Sequence, residues 1–341
     1  MNNFRSFRIR DNQGRIETGF ESLTLDQLTD GEVVVAVEWS GINYKDALAA
    51  TGKGRILRKP ALNGGIDLAG RVIQCSDARF KEGDAVVVCG QGLSETLDGG
   101  YSQIARVPAS AVVALPDGLT LREAMALGTA GFTAAIALQR MEDNGQRPEF
   151  GPILVTGATG GVGSFAIDML KSLGYTVVAL TGKAEAQADY LHSLGADSIL
   201  DRHTLEMSSK PLERMQWGGA VDNVGGETLA WLTRTTSIWG NIASVGLAGG
   251  YKLETTVMPF ILRGVSLLGI NSVECPAYVR ESAWSRVASD LKPRHLELIA
   301  NREIAFDDLP QAFAGYVDGQ VTGRTVVRVG SEKMGSEHNS G

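Results

Sequence analysis

The sequence contains few of the residues from which disulfide frameworks and metal centres are built. Its 341 residues include three cysteines, Cys75, Cys89 and Cys275, which are far apart and odd in number. They form neither a disulfide framework nor a Cys-x-x-Cys zinc ligand set. None of the four histidines clusters with a cysteine; they are His192, His203, His295 and His338. The sequence therefore predicts no bound metal, and its cysteines fit a reducing cytoplasm.

Long basic and long apolar runs are also absent. The formal net charge is −7, which argues against a nucleic-acid partner. The N-terminal residues 1–8 lack the apolar core of a signal peptide, and no run is long enough to span a bilayer. With 43% hydrophobic and 21% charged residues, the composition is typical of a folded protein with room for two domains. We expect a cytoplasmic protein without a membrane partner.

The first part of the chain is rich in β-strand patterns. Short apolar stretches separated by glycine turns predict strands at 32–40, 71–75, 84–89 and 101–108. Such an arrangement favours a compact, barrel-like domain. An alanine-rich helical stretch over 121–138 indicates the crossing into a second domain.

From Pro152 onward, strands alternate regularly with helices. Strands are predicted at 152–155, 176–180, 197–201, 219–224, 240–246 and 265–270. This alternation is typical of a doubly wound parallel α/β sheet, which binds ligands at the carboxyl ends of its strands. We expect a last strand at 323–329 to return to the first domain. The tail at 331–341 is predicted to be disordered.

A glycine-rich turn follows the first of these strands. Gly157, Gly160 and Gly163 are spaced G-x-x-G-x-x-G and lead into an amphipathic helix. In a βαβ unit, bare backbone amides at such a turn bind the pyrophosphate of a dinucleotide. The predicted contacts at this turn are made by Gly157, Thr159, Gly160, Gly161, Val162 and Gly163. The alternative is a tight turn without a ligand.

The end of the next strand indicates which dinucleotide is bound. NAD-specific units place an acidic residue there, whereas this chain has Thr181, Gly182 and Lys183. A cation and a hydroxyl group suit a 2′-phosphate, so the sequence predicts NADPH. Alternatively, Lys183 simply begins a solvated helix.

Other strand ends supply further candidate cofactor contacts. These are Thr129 at the domain crossing and, after the later strands, Asn223, Leu247, Ile270 and Asn271. Each position is also compatible with ordinary turn chemistry.

Several motifs together resemble the medium-chain dehydrogenase/reductase superfamily. The match runs from about Arg5 to Val329, and its most specific parts lie at 43–47 and 258–260. The motifs cover 43–48, 51–54, 65–70, 128–134, 157–163, 255–263 and 323–325. They are similar to the zinc-free quinone oxidoreductase branch and, within it, to the NADPH-dependent acrylyl-CoA reductases. Where zinc-dependent relatives carry Gly-His-Glu, this chain reads Gly65-Ile66-Asp67, and it has no four-cysteine lobe.

The resemblance implies a fold and an activity. It implies a GroES-like catalytic domain at 1–125 and 265–330, and a Rossmann NADPH-binding domain at 126–264. It further implies a homodimer with 255–270 at its seam, and Arg202 near the 2′-phosphate. The implied reaction is NADPH-dependent reduction of the C=C bond of a short α,β-unsaturated acyl-CoA, acrylyl-CoA above all. A quinone or enone reductase and a non-catalytic NADPH-binding protein are the alternatives.

The chemistry of this reaction selects candidate catalytic residues. Hydride addition at Cβ moves negative charge to the thioester oxygen, and a proton must then reach Cα. Tyr44 is the first candidate donor and could contact nicotinamide or substrate; Asn43 is expected to position the nicotinamide ribose or the substrate carbonyl. Asp46 and Asp67 are expected to organise this loop. Alternatively, Tyr44 packs inside the barrel with its hydroxyl bonded to backbone.

Basic residues within 51–60 are candidates for binding coenzyme A. Lys53 and Arg55, followed by Arg58 and Lys59, stand out in an acidic chain and could attract the phosphates of the substrate. A solvated loop is the alternative. Arg324 either binds a cofactor phosphate or pairs with a carboxylate.

Overall fold

The computed structural model describes residues 3–330. The chain divides into two units: the first runs to Thr129 and resumes at Ala300, and the second spans Ala130–Ile299. The expected return to the first domain at residue 265 is therefore wrong, because residues 265–299 belong to the second unit. The tail at 331–341 lies outside the described residues.

The predicted strands occur in the predicted order, and the structure adds strands at 4–12, 15–23, 61–63, 113–114 and 302–305. The strands are β1 Phe4–Asn12, β2 Arg15–Leu23, β3 Val33–Ile42, β4 Ala61–Asn63, β5 Asp67–Cys75, β6 Ala85–Cys89, β7 Ile104–Val107, β8 Val113–Ala114, β9 Ile153–Thr156, β10 Val177–Thr181, β11 Ser198–Asp201, β12 Trp217–Asp222, β13 Thr236–Ser244, β14 Ser266–Gly269, β15 Arg302–Ala305 and β16 Thr325–Arg328. The helices are α1 Tyr44–Thr51, α2 Leu121–Asp143, α3 Gly161–Ser172, α4 Ala188–Ser193, α5 Gly226–Thr235, α6 Met258–Arg263, α7 Ala277–Val287, α8 Leu296–Ile299 and α9 Leu309–Val317.

The first unit is built from two sheets. One has the order β2-β1-β4, and the other has the order β15-β16-β3-β5-β6-β8, with β7 also paired to β3. Gln13 and Gly14 both have positive φ and join β1 to β2 in a two-residue hairpin turn. Alternating apolar residues of the strands, such as Phe7, Val35 and Val86, form the core of this unit. The last strand, β16, pairs antiparallel with β3 and so returns to the first unit, as expected.

The second unit contains a six-stranded parallel sheet with the order β11-β10-β9-β12-β13-β14. Counted from β9, this is the order 3-2-1-4-5-6 of a doubly wound dinucleotide-binding fold. Its strands read as continuous apolar runs because both faces are buried: all residues of β9, β10 and β12 are buried. The predicted doubly wound sheet is confirmed, and its topological reversal lies between β9 and β12.

Among residues 3–330, no helix is both long and apolar enough to cross a membrane. The cytoplasmic location stays a prediction.

Candidate nucleotide site and buried polar cluster

The glycine turn after β9 is shaped by close backbone contacts. Gly157 has φ +58°, a conformation that L side chains rarely adopt. A Cβ on Gly163 would lie 2.5 Å from the Gly157 carbonyl oxygen, so the first turn of α3 packs directly on the loop. At Gly160, the N-cap of α3, a Cβ would have only that oxygen within 4 Å, at 3.3 Å. Gly160 therefore leaves space at the start of α3, as an anion-binding helix start requires.

Hydrogen bonds fasten β9 to β12 where the strand order reverses. Thr156 Oγ1 donates to Asp222 Oδ1 at 2.7 Å and accepts from the backbone N–H of Asn223 at 2.9 Å. Asn223 Nδ2 donates to the Thr156 carbonyl at 2.7 Å. Its Oδ1 atom is buried and has no hydrogen-bond partner among the described residues. An orphaned acceptor beside a bare glycine turn fits a ligand with hydroxyl groups, such as a dinucleotide.

The end of β10 brings two predicted residues together. The Thr159 and Thr181 hydroxyl groups lie 3.4 Å apart, and Thr181 Oγ1 accepts from the backbone N–H of Lys183 at 3.2 Å. Partial burial lowers the pKa of the Lys183 ammonium. The hydroxyl groups of Thr159 and Thr181 thus connect the glycine turn to the start of the predicted 2′-phosphate pocket.

Two basic side chains lie over Gly182. A Cβ there would be 2.6 Å from Arg202 Nε and 2.9 Å from His203 Nε2, so no larger residue fits without displacing them. The Arg202 backbone N–H also donates to the Thr181 carbonyl at 3.0 Å. The structure therefore brings Arg202 to the end of β10. His203 was not predicted, although its position after β11, at the same edge of the sheet, was an available signal.

The later strand ends show local turn contacts at the predicted positions. Asn271 Oδ1 accepts from the backbone N–H groups of Val273 and Glu274 at 3.1 Å, so its carbonyl closes a local turn. The Ile270 N–H donates to the Ser244 carbonyl. Leu247 is 67% exposed. The alternative of turn chemistry therefore accounts for the Asn271 side chain, while contacts of Leu247 and Ile270 with the cofactor stay predictions.

Arg324 lies in a buried polar cluster of the first unit and is only 2% exposed. Its three guanidinium nitrogens donate to protein oxygens within 2.7–3.4 Å. The acceptors are Ile42 O, Asn43 Oδ1, Asp67 Oδ2, Met125 O and Ala126 O. The expected cofactor contact of Arg324 is therefore contradicted, because its donors are buried and already bonded. The structure instead shows the alternative, a carboxylate partner, which is Asp67.

Asp67 is fully buried at the centre of this cluster. Besides Arg324, it accepts from the Thr129 backbone N–H at 3.0–3.1 Å and from the Thr129 hydroxyl at 2.5 Å. Gly128 has φ +48°, and a Cβ there would lie 2.2 Å from Arg324 Nη2. The Thr129 hydroxyl hydrogen is thus directed at Asp67, and a nicotinamide contact of Thr129 stays a prediction.

Asn43 caps helix α1 and connects it to the cluster. Its Oδ1 accepts from Arg324 at 2.7 Å, and its Nδ2 donates to Asp67 at 2.7 Å. Because both ends of the amide are bonded within the protein, Asn43 positions the start of α1. Its expected contact with a ligand stays a prediction. Tyr44 is the next residue and is 47% exposed, so the alternative of a tyrosine packed inside the barrel is wrong.

Asp46 completes the cap of α1. Its carboxylate accepts from the backbone N–H of Asn43 at 2.8 Å and of Ile66 at 2.9 Å. Burial, and secondly the charge of Asp67, raise the pKa of Asp46 to about 7. Asp46 and Asp67 hold the loop that presents Tyr44, as expected.

The two predicted substrate-binding residues have different surroundings in the structure. Lys53 pairs with Asp318 at 3.7 Å. Arg55, in contrast, lines a cavity of about 610 Å³. Within residues 3–330, no group of three histidine, cysteine, aspartate or glutamate side chains could hold a metal ion.

Comparison with known proteins decides the family. A family model described as alcohol dehydrogenase GroES-like domain matches residues 29–117, and one described as zinc-binding dehydrogenase matches 161–289. Acrylyl-CoA reductase AcuI of Ruegeria pomeroyi is 48% identical over 94% of this chain and 96% of its own length. The chain belongs to the medium-chain dehydrogenase/reductase superfamily. Its place in the zinc-free branch and its GroES-like first unit are as the motifs predicted.

Two further members of this superfamily resemble the chain over almost its whole length. YhfP of Bacillus subtilis, which carries a quinone oxidoreductase name, is 45% identical over 96% of this chain and 99% of its own; its solved structure has NAD bound and a TM-score of 0.92. The YhdH oxidoreductase of Salmonella enterica, solved in complex with NADP, is 44% identical, covers 96% of this chain and 100% of its own, and has a TM-score of 0.92.

Proposed function

We propose that this protein reduces the C=C bond of a short α,β-unsaturated acyl-CoA, acrylyl-CoA above all, to the saturated thioester with NADPH. The observation that carries the proposal is the half-exposed side chain of Tyr44, held at the start of α1 by half-buried Asn43, which is bonded to buried Asp67 and Arg324. The similarity to an acrylyl-CoA reductase over almost the full chain supports the choice of substrate.

The choice of NADPH rests on the end of β10. The residues that end β10, Thr181-Gly182-Lys183, include no carboxylate to accept the ribose hydroxyls, and the side chains of Arg202 and His203 lie over Gly182. Lys183→Met should weaken NADPH binding roughly 10- to 100-fold, as expected for one charged hydrogen bond, and leave NADH binding unchanged. Lys210→Met, an exposed lysine of the same unit, is the control. An equal loss of affinity for NADPH and NADH would show that Lys183 does not contact the 2′-phosphate.

The reaction needs a hydrogen-bond or proton donor near the thioester, and the first unit can supply one. The bound cofactor supplies the hydride, which adds to Cβ as the C=C π bond breaks. Negative charge then develops on the thioester oxygen, and a proton must be added at Cα. We assign the Tyr44 hydroxyl as the donor to that oxygen or as the source of that proton. Asn43 and Asp67 hold the start of the helix that presents this hydroxyl.

The test is NADPH consumption with acrylyl-CoA, crotonyl-CoA and benzoquinone measured side by side. We expect turnover of acrylyl-CoA and a fall in kcat of about 100-fold or more for Tyr44→Phe, with NADPH affinity retained. Full activity of the variant would mean that the hydroxyl has no chemical role. Turnover of benzoquinone alone would favour the quinone reductase that the similarity to YhfP suggests, and no turnover at all would favour a non-catalytic NADPH-binding protein.

We also propose that the second unit pairs with a second copy of the chain. Trp239 is 68% exposed and lies on Gly264, at the end of α6, whose residues Ile261 and Leu262 are also exposed. Contiguous exposed apolar surface of this kind is typical of protein interfaces. The strand β14 is an edge strand of the parallel sheet, and edge strands can pair with a second chain. Both features favour a homodimer.

A further inference from the structure

A groove on the first unit lies between the β1–β2 turn and the loop that follows α1. Its volume is about 610 Å³. Three backbone hydrogen bonds fix its walls: the Asp11 N–H donates to the Pro60 carbonyl, the Arg58 N–H to the Glu95 carbonyl and the Gly54 N–H to the Leu48 carbonyl. Buried Leu57 anchors the loop in the core. The groove is therefore part of the folded framework.

The groove is lined by cations that lack internal partners. Arg55, Arg58 and Lys59 line it, and none of the three forms an ion pair within residues 3–330. Lys53, in the same loop, is paired with Asp318 and does not line the groove. Of the lining residues that the structure describes, Asp11 alone is acidic, and its Oδ1 accepts from the Gly14 N–H at 2.6 Å. Unpaired cations around a cavity in a chain of net charge −7 favour an anionic ligand.

The distance between the groove and Tyr44 indicates which kind of anionic ligand fits the groove. Helix α1 runs from Tyr44 to Thr51, a rise of about 12 Å, and the groove begins at Gly52. A coenzyme A thioester carries its reactive acyl group at one end of the pantetheine arm and its phosphates at the other. Ile16 and Leu57 add apolar surface to the same groove, as a nucleobase would require.

We propose that this groove binds the phosphorylated adenosine end of the coenzyme A substrate, with Arg55 and Arg58 contacting its phosphates. This inference rests on the proposed function and adds the site that selects a coenzyme A ester over a smaller thioester.

The test compares acrylyl-CoA with acrylyl-N-acetylcysteamine, which has the same reactive group but no phosphates. For the double variant Arg55→Gln/Arg58→Gln, we expect KM for acrylyl-CoA to rise tenfold or more. Its kcat/KM for the truncated thioester should stay within twofold of the wild type. The rise should shrink as salt increases, because phosphate contacts are screened. Lys81→Gln, an exposed cation of the same unit, is the control.

Three results would overturn the inference. They are an unchanged KM for acrylyl-CoA, an equal loss for both thioesters, and equal use of both thioesters by the wild type. If the wild type turns over neither thioester, the proposed function fails, and the groove is tested by calorimetry with adenosine 3′,5′-bisphosphate. Binding that the double variant loses would then support an anion site, and no binding to the wild type would overturn it.

Discussion

The buried carboxyl of Asp46 should make the stability of the first unit depend on pH. Burial and the neighbouring Asp67 raise its pKa from 3.8 to about 7. Between these values the folded chain holds a proton that the unfolded chain releases, so the free energy of unfolding falls as pH rises. At 1.36 kcal/mol per pH unit, the loss between pH 4 and pH 7 is up to about 4 kcal/mol. Above pH 7 this contribution to stability is gone.

The variant Asp46→Asn separates the pH dependence of stability from the hydrogen bonds that Asp46 accepts at the start of α1. An amide at this position cannot ionise, so the pH-dependent part should vanish. Its NH₂ group would face backbone donors that the carboxylate now accepts, at a pH-independent cost of about 1–3 kcal/mol. We therefore expect the variant to be less stable than the wild type near pH 4, and the difference to shrink as pH rises.

The assay is urea unfolding at pH 4–8, followed by hydrogen-exchange mass spectrometry of peptides covering 44–51 and 67–75. These peptides report the first unit alone, which matters because the two units need not unfold together. Asp30→Asn, at a fully exposed carboxylate of the same unit, is the control and should keep the wild-type pH dependence. Parallel pH profiles for the wild type and Asp46→Asn would refute the reasoning.

Two further predictions concern the second unit. Gly163→Ala should lower the melting temperature of this unit more than Gly160→Ala, since the new Cβ would lie 2.5 Å from the Gly157 oxygen in the first variant and 3.3 Å from it in the second. Gly160→Ala should weaken NADPH binding, and equal melting temperatures for both variants would contradict this reasoning. Trp239→Ser with Ile261→Ser should shift the protein from dimer to monomer in sedimentation velocity without lowering NADPH affinity, and a wild-type monomer at micromolar concentration would exclude the proposed pairing.

The parallel sheet was predictable because its signals are local. Strands buried on both faces read as apolar runs, and glycines mark the turns between them. The β1–β2 hairpin was missed because β2 is largely exposed or half-exposed and carries polar residues at most positions. Its turn, Gln13-Gly14, was the available signal. The domain boundary was misplaced at residue 265, although a strand at 265–270 was itself predicted as the sixth strand of this sheet. The pairing of β14 with β13 places it in the second unit.

The sequence by itself determined the family, the doubly wound sheet and the glycine turn, because each depends on residues close together along the chain. Only the tertiary structure decided what Arg324 contacts, since its acceptors come from residues as distant as Ile42 and Asp67. Only the tertiary structure likewise placed His203 over Gly182 and raised the pKa of Asp46. Burial and the charge of a neighbour across the fold set these properties, and neither is a property of a local motif.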